Sequence, residues 1–383
     1  MKITDVKVHI LQSQLDQPFA FSQGWVTVRS ATIIEVQTDS GLVGWGEAFS
    51  QGLESPQVAA SAIEHSLKPM LLGQNPTDTE VLWNKMYNQT RDFGRKGSVM
   101  AAISGVDIAL WDIAGKFYDV PVSRLLGGRF RDVVQPYATG FYRLTGRNEG
   151  RRLAEEAIAH EEAGFRSMKI KLGFGVDDDV RVMGHIREAI DGRDVELMVD
   201  TNHAYGRTEA LRLGRVLDEF DLRWYEEPVP PEDIDGYVEL RKKLATPIAG
   251  GENEHSMYGF CDLINRRAVD IVQPDIGSCG GITGAKHVAV LAQANGVEVN
   301  PHVWGSGIAQ AASLQVIAAL PNTVHSLYPR QPILEYDRSS HPFRNELVDR
   351  ALTLNKESMV DIPKSSGLGI EVNQNAIIKY RVN

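Results

Sequence analysis

Three acids, Asp200, Glu226 and Glu252, follow one another at intervals of 26 residues, and each closes a short apolar run: VELMVD, RWYEE and IAGGE. That interval is about the length of one strand plus one helix, so successive acids fall at the ends of successive strands. If those ends meet on one face, the carboxylates repel one another unless a cation lies among them. All three offer oxygen and none offers thiolate or imidazole, so the expected cation is hard, Mg2+ first and Mn2+ second. A single acid after a strand reads best as a helix N-cap, whereas three at equal spacing read as a metal site. Asn202, two residues past Asp200, is placed to bond a substrate or a water on the metal, and His203 reads as a rim residue.

The stretch SMKIKLG puts Lys169 and Lys171 on one face of a strand and Met168, Ile170 and Leu172 on the other. This strand comes just before the one that ends in Asp200, so both ammonium groups lie beside the acids. A lysine kept partly dry near a dication should see its pKa fall from about 10.4 toward roughly 7 to 8, which suits a general base. Lys171, nearer the strand end, is the candidate base, and Lys169, deeper, is the candidate to hold a substrate carboxylate oxygen. Asp275 in IVQPD and His302 in EVNPH close two further consecutive strands, 27 residues apart. An aspartate there can accept a hydrogen bond from the histidine ring, fixing its tautomer and raising its basicity. The pair reads as a second acid/base on the opposite face of a bound substrate.

The elements that must position these residues follow a regular rhythm. From about Tyr137, seven short apolar runs each precede an amphipathic helical segment, and a last run, PILEY, stands alone. That order predicts an α/β fold, a modified (β/α)7β barrel of TIM type, whose active site lies at the carboxyl ends of the strands. Ahead of it, KITDVKVHIL and WVTVRSATIIEVQTDSGLVGWGEA read as strands with a TDSG hairpin turn, and Pro56 to Tyr118 reads as helical. The expected units are an N-terminal α+β capping domain over residues 1–125, the barrel over 126–355, and a tail over 356–383 that packs back on the capping domain. LLGGRFRDVVQ reads as the linker.

A net charge of -10 over 383 residues argues against nucleic acid and anionic membrane surfaces as partners. A small anionic substrate remains compatible if a metal and local lysines reverse the field in the site. The two cysteines have no CxxC spacing, no apolar leader opens the chain, and no run was read as long enough to cross a membrane. The expectation is a soluble cytoplasmic protein.

The set KIKLG, VDTN, YEEP, GGEN, QPD and NPHVWGSG, with the GVDIALWDIAGK helix and the LLGG after it, closely resembles the mandelate racemase subgroup of the enolase superfamily across essentially the whole chain. The resemblance implies Asp200, Glu226 and Glu252 as ligands of Mg2+, Lys171 as the base of the KxK motif, and Asp275 with His302 as a catalytic dyad. It implies Glu335, in PILEYD, as a protonated acid bonding the substrate carboxylate, with Glu227 outside the ligand set. Muconate-lactonising and dipeptide-epimerase relatives carry a lysine after the sixth strand, where this chain has Asp275. The runs YATGFYR, PDIGSCGGI and PILEYDRSSHPFR are similar to those of enzymes acting on aldaric acids. The expected reaction is removal of the α-proton of a sugar acid or its lactone to give an enediolate, then β-elimination by lactone cycloisomerisation or dehydration. Racemisation of a 2-hydroxy acid and a non-catalytic sugar-acid binder are the alternatives. The resemblance also implies a homo-oligomer, and assigns substrate choice to loops near residues 20 and 50.

Overall fold

The computed structural model describes residues 1–50 and 52–382. Strands β1 (Ile3–Phe21), β2 (Gly24–Thr38) and β3 (Val43–Ala48) form an antiparallel sheet in that order. The first strand runs well past the Ile10 expected from its alternation. Its register with β2 shifts between Gln14 and Phe19, where QSQLDQ breaks the apolar pattern, and pairing resumes at Phe19. The loop expected near residue 22 is therefore a tight turn at the tip of a long hairpin.

The helix Ser98–Tyr118 lies flat on β3. Gly44 and Gly46 permit this, because a Cβ on either would stand 2.1 Å from the Ala109 carbonyl oxygen or 1.9 Å from that of Gly105. This helix has 21 residues and a mean hydropathy of 1.4 over its most apolar window, so the reading that no run could span a membrane missed it. Its apolar surface forms the capping-domain core, and 89% of that window is buried.

After β4 (Val133–Val134) come eight parallel strands: β5 (Pro136–Gly140), β6 (Ser167–Lys171), β7 (Glu196–Asp200), β8 (Tyr225–Glu226), β9 (Ile248–Gly250), β10 (Ile271–Val272), β11 (Glu298–Val299) and β12 (Leu334–Asp337). They pair in the order β11-β10-β9-β8-β7-β6-β5-β12, a curled sheet. No ladder joins β11 to β12 among the described residues. Two side chains bridge that seam instead: the Ile333 N–H donates to Asn300 Oδ1 at 2.9 Å and the Val303 N–H to Glu335 Oε2 at 3.1 Å. A small inner core of Tyr137, Met198, Trp224, Ala249, Ile271 and Ile333 plugs the barrel below the strand ends. The supposed linker is partly ordered as strand, since β4 pairs antiparallel with β13 (Val360–Asp361). The tail reaches the capping domain, where the Leu368 N–H donates to Asp112 Oδ1 and the Val382 N–H to the Ile10 carbonyl.

Candidate active site

Parallel register sets Lys171 opposite Asp200 and Asp200 opposite Glu226, so three neighbouring strands present these side chains in one row. Lys171 Nζ lies 2.5 Å from Asp200 Oδ2 and 3.0 Å from Asn202 Oδ1. Asn202 and His203 adopt left-handed backbone, with φ of 42° and 51°. The turn lets the Asn202 N–H donate back to Asp200 Oδ1 at 2.7 Å, while Asn202 Nδ2 reaches Glu252 Oε1 at 3.2 Å.

Asp200, Glu226 and Glu252 each offer an oxygen, and all three lie within 4.8 Å of one another. Glu226 already accepts from Lys169 at 2.7 Å, Trp224 Nε1 at 2.8 Å and Gln273 Nε2 at 2.7 Å. Glu252 Oε2 is buried with no hydrogen bond. Five carboxyl groups (Asp200, Glu226, Glu252, Asp275 and Glu335) face three basic groups (Lys169, Lys171 and His302), all buried or nearly so. The Glu252 oxygen left without a hydrogen bond and the surplus of carboxyls fit a hard divalent cation. Glu227 points elsewhere and accepts from Asn253 at 2.8 Å.

Across the mouth, His302 Nδ1 lies 2.6 Å from Asp275 Oδ2, and its Nε2 is 3.4 Å from Glu252 Oε2. Burial opposes charge on this imidazole, but Glu252, Glu335 and the Asp275 hydrogen bond outweigh it and push its pKa up to about 10. Burial likewise raises Glu226, to about 8.

Two charge states follow from the protein groups around them. Burial pulls the Lys171 ammonium down, yet Asp200 outweighs it and leaves the group above its ordinary value. The lowering expected from the sequence relied on a cation drawing the carboxylates away from the ammonium. Glu335 was expected as a protonated acid. Burial would raise it, but Lys169 at 2.8 Å, then His302 and Lys171, hold it well below the usual range, with Thr139 Oγ1 donating at 2.7 Å. With these partners Lys169 is held as the ammonium and Glu335 as the carboxylate.

Lys169 differs in place as well as in charge. It is fully buried between Glu226 and Glu335, and it does not line the cavity of about 310 Å³ into which Lys171, Asn202, Glu252, His302 and Glu335 open. It reaches that space only through its carboxylate partners.

Residues 3–127 match the family described as mandelate racemase / muconate lactonizing enzyme, N-terminal domain, and residues 152–376 match enolase C-terminal domain-like. The chain belongs to the mandelate racemase/muconate lactonizing enzyme family of the enolase superfamily. It is 41% identical to D-galactarolactone cycloisomerase of Agrobacterium fabrum over 100% of this chain and 99% of that one. Among solved structures, 3,6-anhydro-D-galactonate cycloisomerase from Zobellia galactanivorans superposes with a TM-score of 0.89 at 37% identity, covering 100% of both chains. A variant of L-talarate/galactarate dehydratase liganded with Mg and L-glucarate gives 0.87 at 29% identity, covering 100% of this chain and 92% of that one.

Membership frames what sequence reasoning missed. Trp224 and Gln273 orient Glu226, and both stood within quoted motifs without a role. Tyr142, Trp304, Phe21 and Phe49 wall the cavity, and Arg29 stacks behind Trp304 at 4.3 Å. No spacing in the chain could have found these, because they come from four separate segments. Gln51, in the loop near residue 50, lies outside the described residues.

Proposed function

We propose that this protein removes the α-proton of a sugar-acid carboxylate, an aldarate or its lactone, and expels the β-substituent by elimination. The observation that carries this reading is the placement of Lys171 and the His302–Asp275 pair on opposite sides of one cavity, with the acid triad between them. We assign Asp200, Glu226 and Glu252 as the residues that hold Mg2+, in keeping with the Mg of the similar dehydratase structure. When bound, the cation supplies Lewis-acid stabilisation of charge on the substrate carboxylate and draws the triad's charge off Lys171.

The chain's own residues do the rest. Asn202 orients Lys171, and Asp275 holds the His302 ring with Nε2 toward the cavity. One of these two groups takes the α-proton and the other faces the far side of the carbon. The charge on His302 favours it as the donor. Glu335 lines the carboxylate end with the Lys169 ammonium 2.8 Å behind it, and passage of that proton from Lys169 to Glu335 makes the carboxyl group that donates to charge developing there. Two opposed acid/base groups also favour a second reading, in which the donor returns a proton to the same carbon and the product is an epimer.

Free Cys261 and Cys279 suit a reducing cytoplasm. A homo-oligomer remains our expectation, and the highly exposed Leu327 and Tyr328 are where a second copy would first be sought.

Proton NMR in D2O with Mg2+, against galactarate, glucarate and their lactones, tests the reading. A keto-deoxy or ring-opened product establishes elimination. Wash-out of the α-proton without product establishes epimerisation. If no compound reacts or exchanges, the sugar-acid reading falls.

A further inference from the structure

The cavity is chemically lopsided. Its inner end holds Lys171, His302, Glu252 and Glu335. Its outer end is walled by Phe21, Phe49, Leu53 and Trp304, with Glu54 as the added charged group. No lysine or arginine lines that end among the described residues. The nearest guanidinium, Arg29, lies behind the Trp304 ring, fully buried and paired with Asp337 at 3.0 Å. His203 is the remaining basic side chain on the lining, and it belongs to the loop after β7. The hairpin tip is latched down over the site by Ser22 Oγ on the Thr201 carbonyl at 2.8 Å and Gln23 Nε2 on the Asn202 carbonyl at 2.6 Å.

Resting on the sugar-acid reading, we propose that the outer cavity is a charge filter set by Leu53 and Glu54: it accepts a ring or an uncharged chain end and turns away a second carboxylate. A substrate that reaches the triad with one carboxylate must lay its far end against the aromatic wall. If that end is a second carboxylate, it loses its water with no cation to replace it and meets the Glu54 side chain. If the second carboxyl is closed into a lactone, the charge is gone and a flat ring lies along Trp304, which Phe19 and Phe21 hold edge-on and Tyr142 contacts at a tilt. Glu54 lies within the field of the Glu252 and Asp275 carboxyl groups, so a second carboxylate placed between them meets its own sign from both sides. The substrate class is therefore a monoanion with a cyclic or neutral far end.

The test compares D-galactaro-1,4-lactone, galactarate dianion and the monoacid galactonate with the full chain and Mg2+ at about pH 8, where an ordinary imidazole is uncharged. The lactone should exceed the dianion in kcat/KM by roughly 100-fold or more. The double variant Leu53→Arg/Glu54→Gln, altered where both side chains are exposed, should narrow that ratio by about 10-fold, chiefly through the KM of the dianion. Equal use of lactone and dianion by the unaltered protein, or an unmoved ratio in the variant, overturns the filter and leaves the sugar-acid reading standing. No α-proton loss from any of the three overturns that reading and the filter with it.

Discussion

Two sets of buried carboxyl groups in this molecule look alike by residue type and behave differently. At the barrel mouth stand Asp200, Glu226 and Glu252. At the contact between capping domain and barrel stand Glu47, Asp107 and Asp112, all three buried. Glu47 accepts from the Ser306 N–H at 3.1 Å and the Ala309 N–H at 3.3 Å, and Asp107 from the Thr283 N–H at 2.9 Å and its hydroxyl at 2.7 Å. Both cap the starts of barrel helices, Gly307–Ala319 and Gly281–Ala294. Asp112 accepts from the Trp45 N–H, the Leu368 N–H and Lys116. These acids are met by fixed backbone donors and join two layers. The triad is met mostly by side-chain cations and amides, and Glu252 keeps an oxygen with no hydrogen bond. What separates the two sets is how their acceptors are satisfied.

The sharpest break in that comparison is Glu252→Gln. It should lower kcat/KM by about 1,000-fold and weaken Mg2+ binding measured by calorimetry, with the thermal midpoint of the metal-free protein little changed. If Mg2+ binds the variant as before, Glu252 belongs with the structural acids. Next, Lys171→Ala and His302→Asn should each cost roughly 100- to 10,000-fold in turnover. Each should abolish α-proton exchange for only one configuration at that carbon, read by NMR with both epimers. Loss of both configurations in both variants would mean that the two groups act as one unit rather than from opposite sides.

The smallest effect lies at the domain contact. Burial pushes Glu47 and Asp107 up to about 7 from ordinary values of 4.5 and 3.8. The folded chain thus holds more protons than the unfolded chain between about pH 4 and pH 7. The contribution of these groups to stability is full below about pH 4 and is lost as pH rises through about 7. In the double variant Glu47→Gln/Asp107→Asn that slope should flatten. Denaturant unfolding at a series of pH values checks it, and an unchanged slope would place the titration elsewhere.

Much of the barrel was legible because parallel strands buried on both faces read as apolar runs, and because one strand-helix unit has a near-constant length. That periodicity alone brought Asp200, Glu226 and Glu252 to one face, and Asp275 to His302. The structure left Glu47 and Asp107 for itself to reveal: in the sequence each is one acid in or near an apolar run, and only the fold shows a helix start facing it. The charge states of Lys171 and Glu335 are not legible in the sequence for a related reason, since they depend on the balance of neighbours on four strands. Trp304 and Arg29 were invisible because their contact joins the capping hairpin to the loop after β11, a pairing with no periodic signature.

The unlaced seam between β11 and β12 runs between His302 and Glu335, one on each bank. Elsewhere in the barrel, parting two staves means breaking main-chain ladder bonds. Along this line it means releasing the Asn300 and Glu335 side chains from the Ile333 and Val303 amides. The strand end that carries His302 is therefore tied to the one that carries Glu335 by two side-chain bonds in place of a ladder, and the line opposite this seam falls between β7 and β8, beside the strand that carries Lys169 and Lys171.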